Sequence, residues 1–232
     1  MNVLAIDTST NVLGVGIVSE EKVIGEYITN IKRNHSTRVL PAIDYLLNDC
    51  GLHIKDINKI VVANGPGSYT GLRIGITIGK TLAWTLNVPL SGVSTLQLIA
   101  ANGKYFDGVI SPMIDARRGN IYTGLYEYSG GRWSSVFNDR HISSIEWAKK
   151  LKNSNENILF IGENISTHRT VFETELKGKV SFSPITLNNP RPGELGLIGM
   201  DLPEMAVHSF VPNYLRLAEA EAKWREKMGN RM

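Results

Sequence analysis

A chain of 232 residues with 42% hydrophobic and 20% charged residues carries enough apolar material for a buried core. That excludes a disordered polymer and suits two small lobes on one chain. The net charge of +3 is too weak for a dedicated nucleic-acid binder, and the single cysteine, Cys50, excludes an internal disulfide or a multi-cysteine metal site.

The basic residues are scattered, and their densest groups, Lys32-Arg33, Arg117-Arg118 and Lys149-Lys150, are short. Any RNA would therefore be reached only indirectly. No apolar run approaches the ~20 residues of a membrane helix, and no charged-then-apolar leader opens the chain. With one cysteine, the expectation is a cytoplasmic protein with no membrane contact.

The chain opens with three apolar runs, Val3 to Ile6, Gly14 to Val18 and Val23 to Ile28, separated by the polar turns 7–11 and 19–22. They predict an antiparallel meander. Ser36 is a candidate N-cap for a helix in which Val39, Leu40, Ile43, Leu46, Leu47 and Cys50 recur at helical spacing and Gly51 is the stop. A short strand, Ile60 to Ala63, runs into the tight loop 64–68.

The second helix is predicted over Thr70 to Leu86. Gly71, Gly75 and Gly79 lie four apart along one stripe, and each glycine costs a soluble helix about 1 kcal/mol against alanine. Close approach of another backbone is the compensation such a stripe implies. That backbone belongs either to this chain or to a partner. The other positions are mostly apolar, so the helix is expected to be buried on more than one side.

A strand over Val88 to Val93 and a helix from Ser94 to about Ala101 complete a first lobe over 1–103. A second lobe, 104–232, restarts the pattern with Val109 to Ile114, a turn at 115–120 and Ile121 to Tyr128. Both openings read strand, aspartate, turn, strand, with Asp7 in one and Asp115 in the other. The repeat points to two lobes of common plan. Further on, Ser144 to Leu151 and Ser166 to Leu176 predict helices, Ile158 to Ile161 a strand and Asn188 to Gly193 a loop. A charged helix over Asn213 to Met228 is expected last, folding back on the first lobe.

The segment Asn64-Gly65-Pro66-Gly67-Ser68-Tyr69-Thr70-Gly71-Leu72-Arg73-Ile74-Gly75 resembles the signature of the TsaB (YeaZ) family. Leu4 to Ser9, His35-Ser36, Asp115 to Gly119 and Pro212 to Arg216 agree with it in order and spacing. The resemblance implies an α/β fold of actin-like (sugar kinase and Hsp70-like) type. It implies a non-catalytic subunit beside the related catalytic TsaD and the ATPase TsaE, which together transfer threonylcarbamoyl to N6 of adenosine 37 in tRNAs reading ANN codons. It also places the docking surface for TsaD, or for a second copy in a homodimer, on the first two helices. The expected interface residues are Val39, Ile43, Leu46, Gly71, Gly75, Ile78 and Leu82.

The residues themselves speak against catalysis. The catalytic relatives carry a His-x-x-x-His pair where this chain has Thr95 and Ile99, and isoleucine ligates no metal. The five histidines never fall at metal-pair spacing, so no metal is expected. Actin-like ATPases hold phosphate with glycine-bearing hairpins, but here Ser9 and the bulky Arg117 stand at those places, so no nucleotide cofactor is expected either. Asp7 and Asp115 then read as caps of their own turns. His35 reads as structural, for want of an orienting partner. The loop 65–68 reads as a rigid turn with a capping serine rather than an anion cradle. Arg117-Arg118 fits phosphate contact and a solvated turn equally well. The competing functions are an ATP-binding kinase or ATPase of the same fold, and a free-standing homodimeric binding protein.

Overall fold

The computed structural model describes residues 1–31 and 34–216. Its first sheet is built from β1 (Val3–Asp7), β2 (Val12–Val18), β3 (Val23–Asn30), β4 (Lys59–Gly65) and β5 (Leu90–Ser94). Their spatial order is β3-β2-β1-β4-β5. The first three strands form the expected antiparallel meander, while β1, β4 and β5 run parallel. Every residue of β1 and β2 is buried, because both sheet faces are covered.

One face is covered by α1 (Val39–Asp49) and α2 (Tyr69–Leu86). Ile43, Leu46 and Leu47 of α1 and Ile76 and Ala83 of α2 join Leu4, Ile6, Ile60 and Val62 in the largest core cluster. Each such aliphatic side chain contributes about 1.5–3 kcal/mol on full burial. The expected stop at Gly51 is present, with φ of 65°. Ser36 is not the N-cap of α1. It lies inside a 3-10 turn, His35–Thr37, whose cap is Asn34, and its hydroxyl donates to Asn34 Oδ1 at 2.9 Å. Asn34, two residues earlier, takes up the Ser36 backbone N–H.

The second sheet repeats the first. Its strands are β6 (Val109–Asp115), β7 (Asn120–Ser129), β8 (Arg132–Ser143), β9 (Ile158–Gly162) and β10 (Val180–Phe182), in the order β10-β9-β6-β7-β8. Again the first three are antiparallel and the last two join in parallel. Two helices cover its outer face, α4 (Ser144–Leu151) and α5 (Ile165–Leu176), packing Trp147, Phe160 and Phe172 together.

The third helix of each repeat packs on the inner face of the first sheet, and that of the first repeat also meets the second sheet. α3 (Thr95–Ala101) sets Leu96, Ile99 and Ala100 against Ile110 and Tyr126 of the second sheet, while its Leu98 reaches Val61 and Val93 of the first. α6 (Pro192–Met200) crosses back, packing against β1, β2 and β4. The turn-rich reading of Asn188 to Gly193 stops short here, because Pro192 and Gly193 already belong to this helix. Proline at N1 is pre-set for a helix start.

After α6 the chain straps across the first lobe. Met205 N donates to Leu90 O and Asn213 N to Asn64 O, both at 2.7 Å. Phe210 is buried in the core. This strap and α6 make the return to the first lobe. Residues 213–216 are not helical, and the rest of the helix expected to Met228 lies outside the described residues, as do Lys32 and Arg33.

Candidate functional site

Two places on this scaffold concentrate what the sequence singled out: the cleft between the lobes and the outer face of α1 and α2. The cleft is floored by the strand ends of both repeats. Asp7 closes β1, and its Oδ1 accepts from Ser9 N at 2.9 Å and from Ser9 Oγ at 2.6 Å. Asp115 closes β6, and its Oδ1 accepts from Arg117 N at 3.1 Å. Both aspartates thus cap their own turns. Burial pushes the Asp7 carboxyl above its ordinary range, against the opposing pull of the Ser9 hydrogen bonds. Asp115 also stands 3.2 Å from His168 Nε2.

The glycine stripe of α2 explains how tightly the first hairpin sits. A Cβ on Gly67 would overlap the Ser9 carbonyl oxygen, and one on Gly71 would overlap that of Thr8. A Cβ on Gly75 would stand 2.5 Å from Thr8 Oγ1, and one on Gly79 2.5 Å from Val62 Cγ1. The backbone that approaches is therefore the chain's own. Thr8 Oγ1 donates to Gly71 O at 2.7 Å, and Ser68 N donates to Ser9 O at 2.7 Å. Ser68 caps the helix by accepting from Gly71 N at 3.2 Å. The start of α2 is occupied by the hairpin and its own cap, as expected of a rigid turn.

His35 Nε2 lies 2.9 Å from Thr10 O and ties the 3-10 turn to the same hairpin. Thr95 and Ile99 are sealed in the interior at 0% and 1% exposure. Among the described residues, no three His, Cys, Asp or Glu side chains gather where they could hold a metal ion. What remains open between the lobes is a cavity of about 400 Å³ lined by Ser9, Gly67, Ser68, Asp115, Arg117 and Glu163, with others. It adjoins a second of about 640 Å³ that shares Asn11, Glu163 and Asn164. Glu163 fastens the lobes across it, accepting from Asn11 at 3.2 Å and from Asn30 at 3.3 Å.

A second polar group joins the lobes behind the cleft. Asp139 of β8 accepts from Ser94 Oγ at 2.5 Å and from the Tyr126 hydroxyl. Burial raises both the Asp139 carboxyl and the Tyr126 phenol, the latter strongly. Nothing in the sequence marked this pair, because Asp139 and Tyr126 meet only through the register of β7 and β8.

On the α1–α2 face the seven expected interface residues divide. Val39, Ile43 and Leu46 point into the core at 0–4% exposure, and Gly71 and Gly75 face the Thr8 hairpin. Ile78 and Leu82 are half-buried, packed along the edge of the core. The side chains that reach solvent are others: Leu40 (53% exposed), Tyr45 (62%), Tyr69 (45%) and Trp84 (65%). Arg73 stacks over Tyr69, which stacks on Tyr214 of the strap at 5.0 Å, and Trp84 packs edge-on to His208. α1 turns Asp44 and Asp49 outward, and α2 turns Arg73 outward. Sequence reading did not name this set, because helical spacing alone does not tell which apolar side of each helix faces the sheet. The available signal was Tyr45 beside Asp44 and Trp84 beside Thr85, large aromatic residues among polar neighbours.

Comparison with known proteins fits this geometry. Residues 22–224 match the family model described as TsaD, tRNA N6-adenosine threonylcarbamoyltransferase. The chain is 50% identical over 226 residues to the tRNA threonylcarbamoyladenosine biosynthesis protein TsaB of Bacillus subtilis, covering 97% of this chain and 99% of that one. YeaZ from Pseudomonas aeruginosa superposes with a TM-score of 0.73 at 22% identity, over 92% of this chain and 99% of that chain. A second Pseudomonas aeruginosa structure, of a protein with similarity to peptidase YeaZ, gives 0.77 at 24% identity, over 93% and 99%. These two likenesses speak for the fold alone, the two-lobed actin-like α/β fold that the duplicated sheets display. With half its residues shared along nearly the full length of a TsaB, the chain belongs to the TsaB (YeaZ) family.

Proposed function

We propose that this chain serves tRNA threonylcarbamoyladenosine biosynthesis as a non-catalytic subunit. It docks a TsaD-family protein and supports threonylcarbamoyl transfer to N6 of adenosine 37 in tRNAs reading ANN codons. The observation that carries the reading is the exposure of large apolar side chains on both helices, Leu40 and Tyr45 on α1 and Tyr69 and Trp84 on α2, at 45–65%. Exposed aromatic anchors of this kind are typical of binding hot spots.

The non-catalytic part of the reading is supported by the glycine-stripe contacts. The Thr8–Ser9 hairpin fills the start of α2, and Ile99 and Thr95 are core residues. In isolation the same face accommodates a second copy. In that pairing the exposed Asp44 and Asp49 of α1 and Arg73 of α2 supply charges of opposite sign for contacts between copies. TsaE joins through the complex. None of the described helices is long and apolar enough to cross a membrane.

The test is size-exclusion chromatography with light scattering, on the protein alone and mixed with the TsaD of the same organism. A heterodimer peak is expected for the wild type. The double variant Tyr45→Ala/Trp84→Ala is expected to weaken it by about 30-fold, since two hot-spot truncations together cost at least about 2 kcal/mol. A folded double variant that binds as well as the wild type refutes the docking face. The competing ATPase reading predicts heat and a thermal shift on titration with Mg-ATP, and a silent titration removes it.

A further inference from the structure

The hairpin between β6 and β7 is held in an unusual backbone. Arg117 and Arg118 both adopt left-handed conformations, with φ of 66° and 54°, followed by Gly119 at 76°. Two consecutive bulky residues in this region are disfavoured, and such strain persists only where neighbours enforce it. They do so here. Asp115 Oδ1 accepts from Arg117 N at 3.1 Å, Asn120 N donates to Arg117 O at 3.0 Å, and Asn120 Nδ2 donates to Arg118 O at 3.3 Å.

The result is two adjacent arginines whose backbone is pinned and whose side chains stand at an exposed tip. Several other arginines are engaged: Arg38 donates to Thr29, Arg169 pairs with Glu173, Arg191 pairs with Glu26, and Arg140 lies over Phe137 and Trp147. Arg117 and Arg118 make no side-chain hydrogen bond or ion pair among the described residues. The nearby carboxylates are otherwise engaged: Asp115 accepts from the Arg117 backbone N–H and lies against His168, and Glu163 accepts from Asn11 and Asn30. Arg216 adds a third cation by the base of the hairpin, where its charge acts on Tyr122 and His141. Arg117 also shares the cleft cavity with Gly67 and Ser68, the residues that lead into α2.

We propose that Arg117 and Arg118 form a phosphate-contact point for RNA at the mouth of the cleft, beside the partner-docking face. The placement rests on the docking reading above: tRNA held by a protein seated on α2 passes the adjacent hairpin. It departs from the expectation, drawn from scattered basic residues, that this chain meets tRNA only indirectly. Two pinned arginines position a phosphate backbone without reading sequence, so the contact is one of anchoring.

The test is fluorescence anisotropy of a labelled, unmodified ANN-decoding tRNA transcript across a potassium chloride series, with the chain alone and with the TsaD of the same organism. The double variant Arg117→Asn/Arg118→Asn removes both charges while asparagine tolerates left-handed backbone. Loss of two phosphate contacts lowers the slope of log K against log salt by about 1.4–1.8, at ~0.7–0.9 per contact. Arg117→Lys/Arg118→Lys is expected to keep the slope. An unchanged slope in the asparagine variant overturns the proposal, and so does a wild type that binds tRNA in neither preparation. An asparagine variant that loses TsaD association instead overturns it too, in favour of an acidic protein partner. A lowered slope without any TsaD association leaves the phosphate contact standing and removes the docking reading.

Discussion

The Thr8–Gly75 contact allows a sharp test of how the first hairpin is held. Thr8 Oγ1 donates to Gly71 O at 2.7 Å, and a Cβ on Gly75 would stand 2.5 Å from that same oxygen. Gly75→Ala alone sets a helix-propensity gain of about 1 kcal/mol against an overpacking cost of about 1–3 kcal/mol. The net expectation is a loss of about 1 kcal/mol. Thr8→Ala alone forfeits one buried hydrogen bond, about 1 kcal/mol. In the double variant the clash is gone while the propensity gain remains. Its net change is therefore near zero, where simple addition predicts a loss of about 2 kcal/mol, a coupling of the size contacting residues show. Urea denaturation of the four proteins measures it, each kcal/mol moving the midpoint by about 0.4 M for a slope near 2.5 kcal/mol/M. Additivity within about 0.5 kcal/mol would show that the hairpin moves freely away from α2, and the packing account of the stripe would fail. By the same geometry Gly75→Leu reports on the fold, not on partner docking.

Two further outcomes are expected. Burial, acting against Ser94, Tyr126 and Arg140, holds the Asp139 pKa above its unfolded value. Its contribution is then full below the unfolded pKa and is lost as pH rises through the folded one. The stability deficit of Asp139→Asn against wild type should narrow as pH rises above about 4 in paired urea titrations, and a constant or widening deficit refutes this. Phe210 is 4% exposed and fixes the strap to the first lobe, its ring lying where a Cβ on Gly92 would come within 2.6 Å. Phe210→Ala should cost about 3 kcal/mol, lower Tm by about 6–12 °C and open residues 203–216 to limited proteolysis. A shift under about 2 °C would mean that the strap is held elsewhere.

The first lobe was legible almost throughout, and the reason is periodicity. β1, β2 and β4 are short apolar runs between turn residues, α1 carries clean helical spacing, and Gly51 ends α1 where a left-handed residue is required. The repeated strand–aspartate–turn motif correctly announced a second sheet of the same order. β8 escaped notice because it is an edge strand, mostly exposed or half-buried from Arg132 to Ser143, and carries no apolar alternation. α6 escaped because Pro192 and Gly193 at its start read as the end of a loop, and glycines recur at 196 and 199. They are needed for close packing, since a Cβ on Gly196 would meet Val18 at 2.7 Å. Glycine on a packed helix and glycine in a turn look alike until the neighbour is known.

The outward face of α1 and α2 was legible by element and not by residue, and the cause is phase. Helical spacing shows that α1 has an apolar side, but Leu40 and Val39 are adjacent in sequence and only one of them points at the sheet. On α2 almost every non-glycine position is apolar or a small hydroxyl, so periodicity gives no direction at all. The direction comes from the hairpin. Thr8 and Ser9 demand glycine at 67, 71 and 75, that demand fixes the inward side, and Arg73, Thr77 and Trp84 are left on the outward one. A stripe of glycine in a soluble helix thus locates the backbone it touches. In this chain that backbone is internal, and the surface available to a partner is the side the glycines do not occupy.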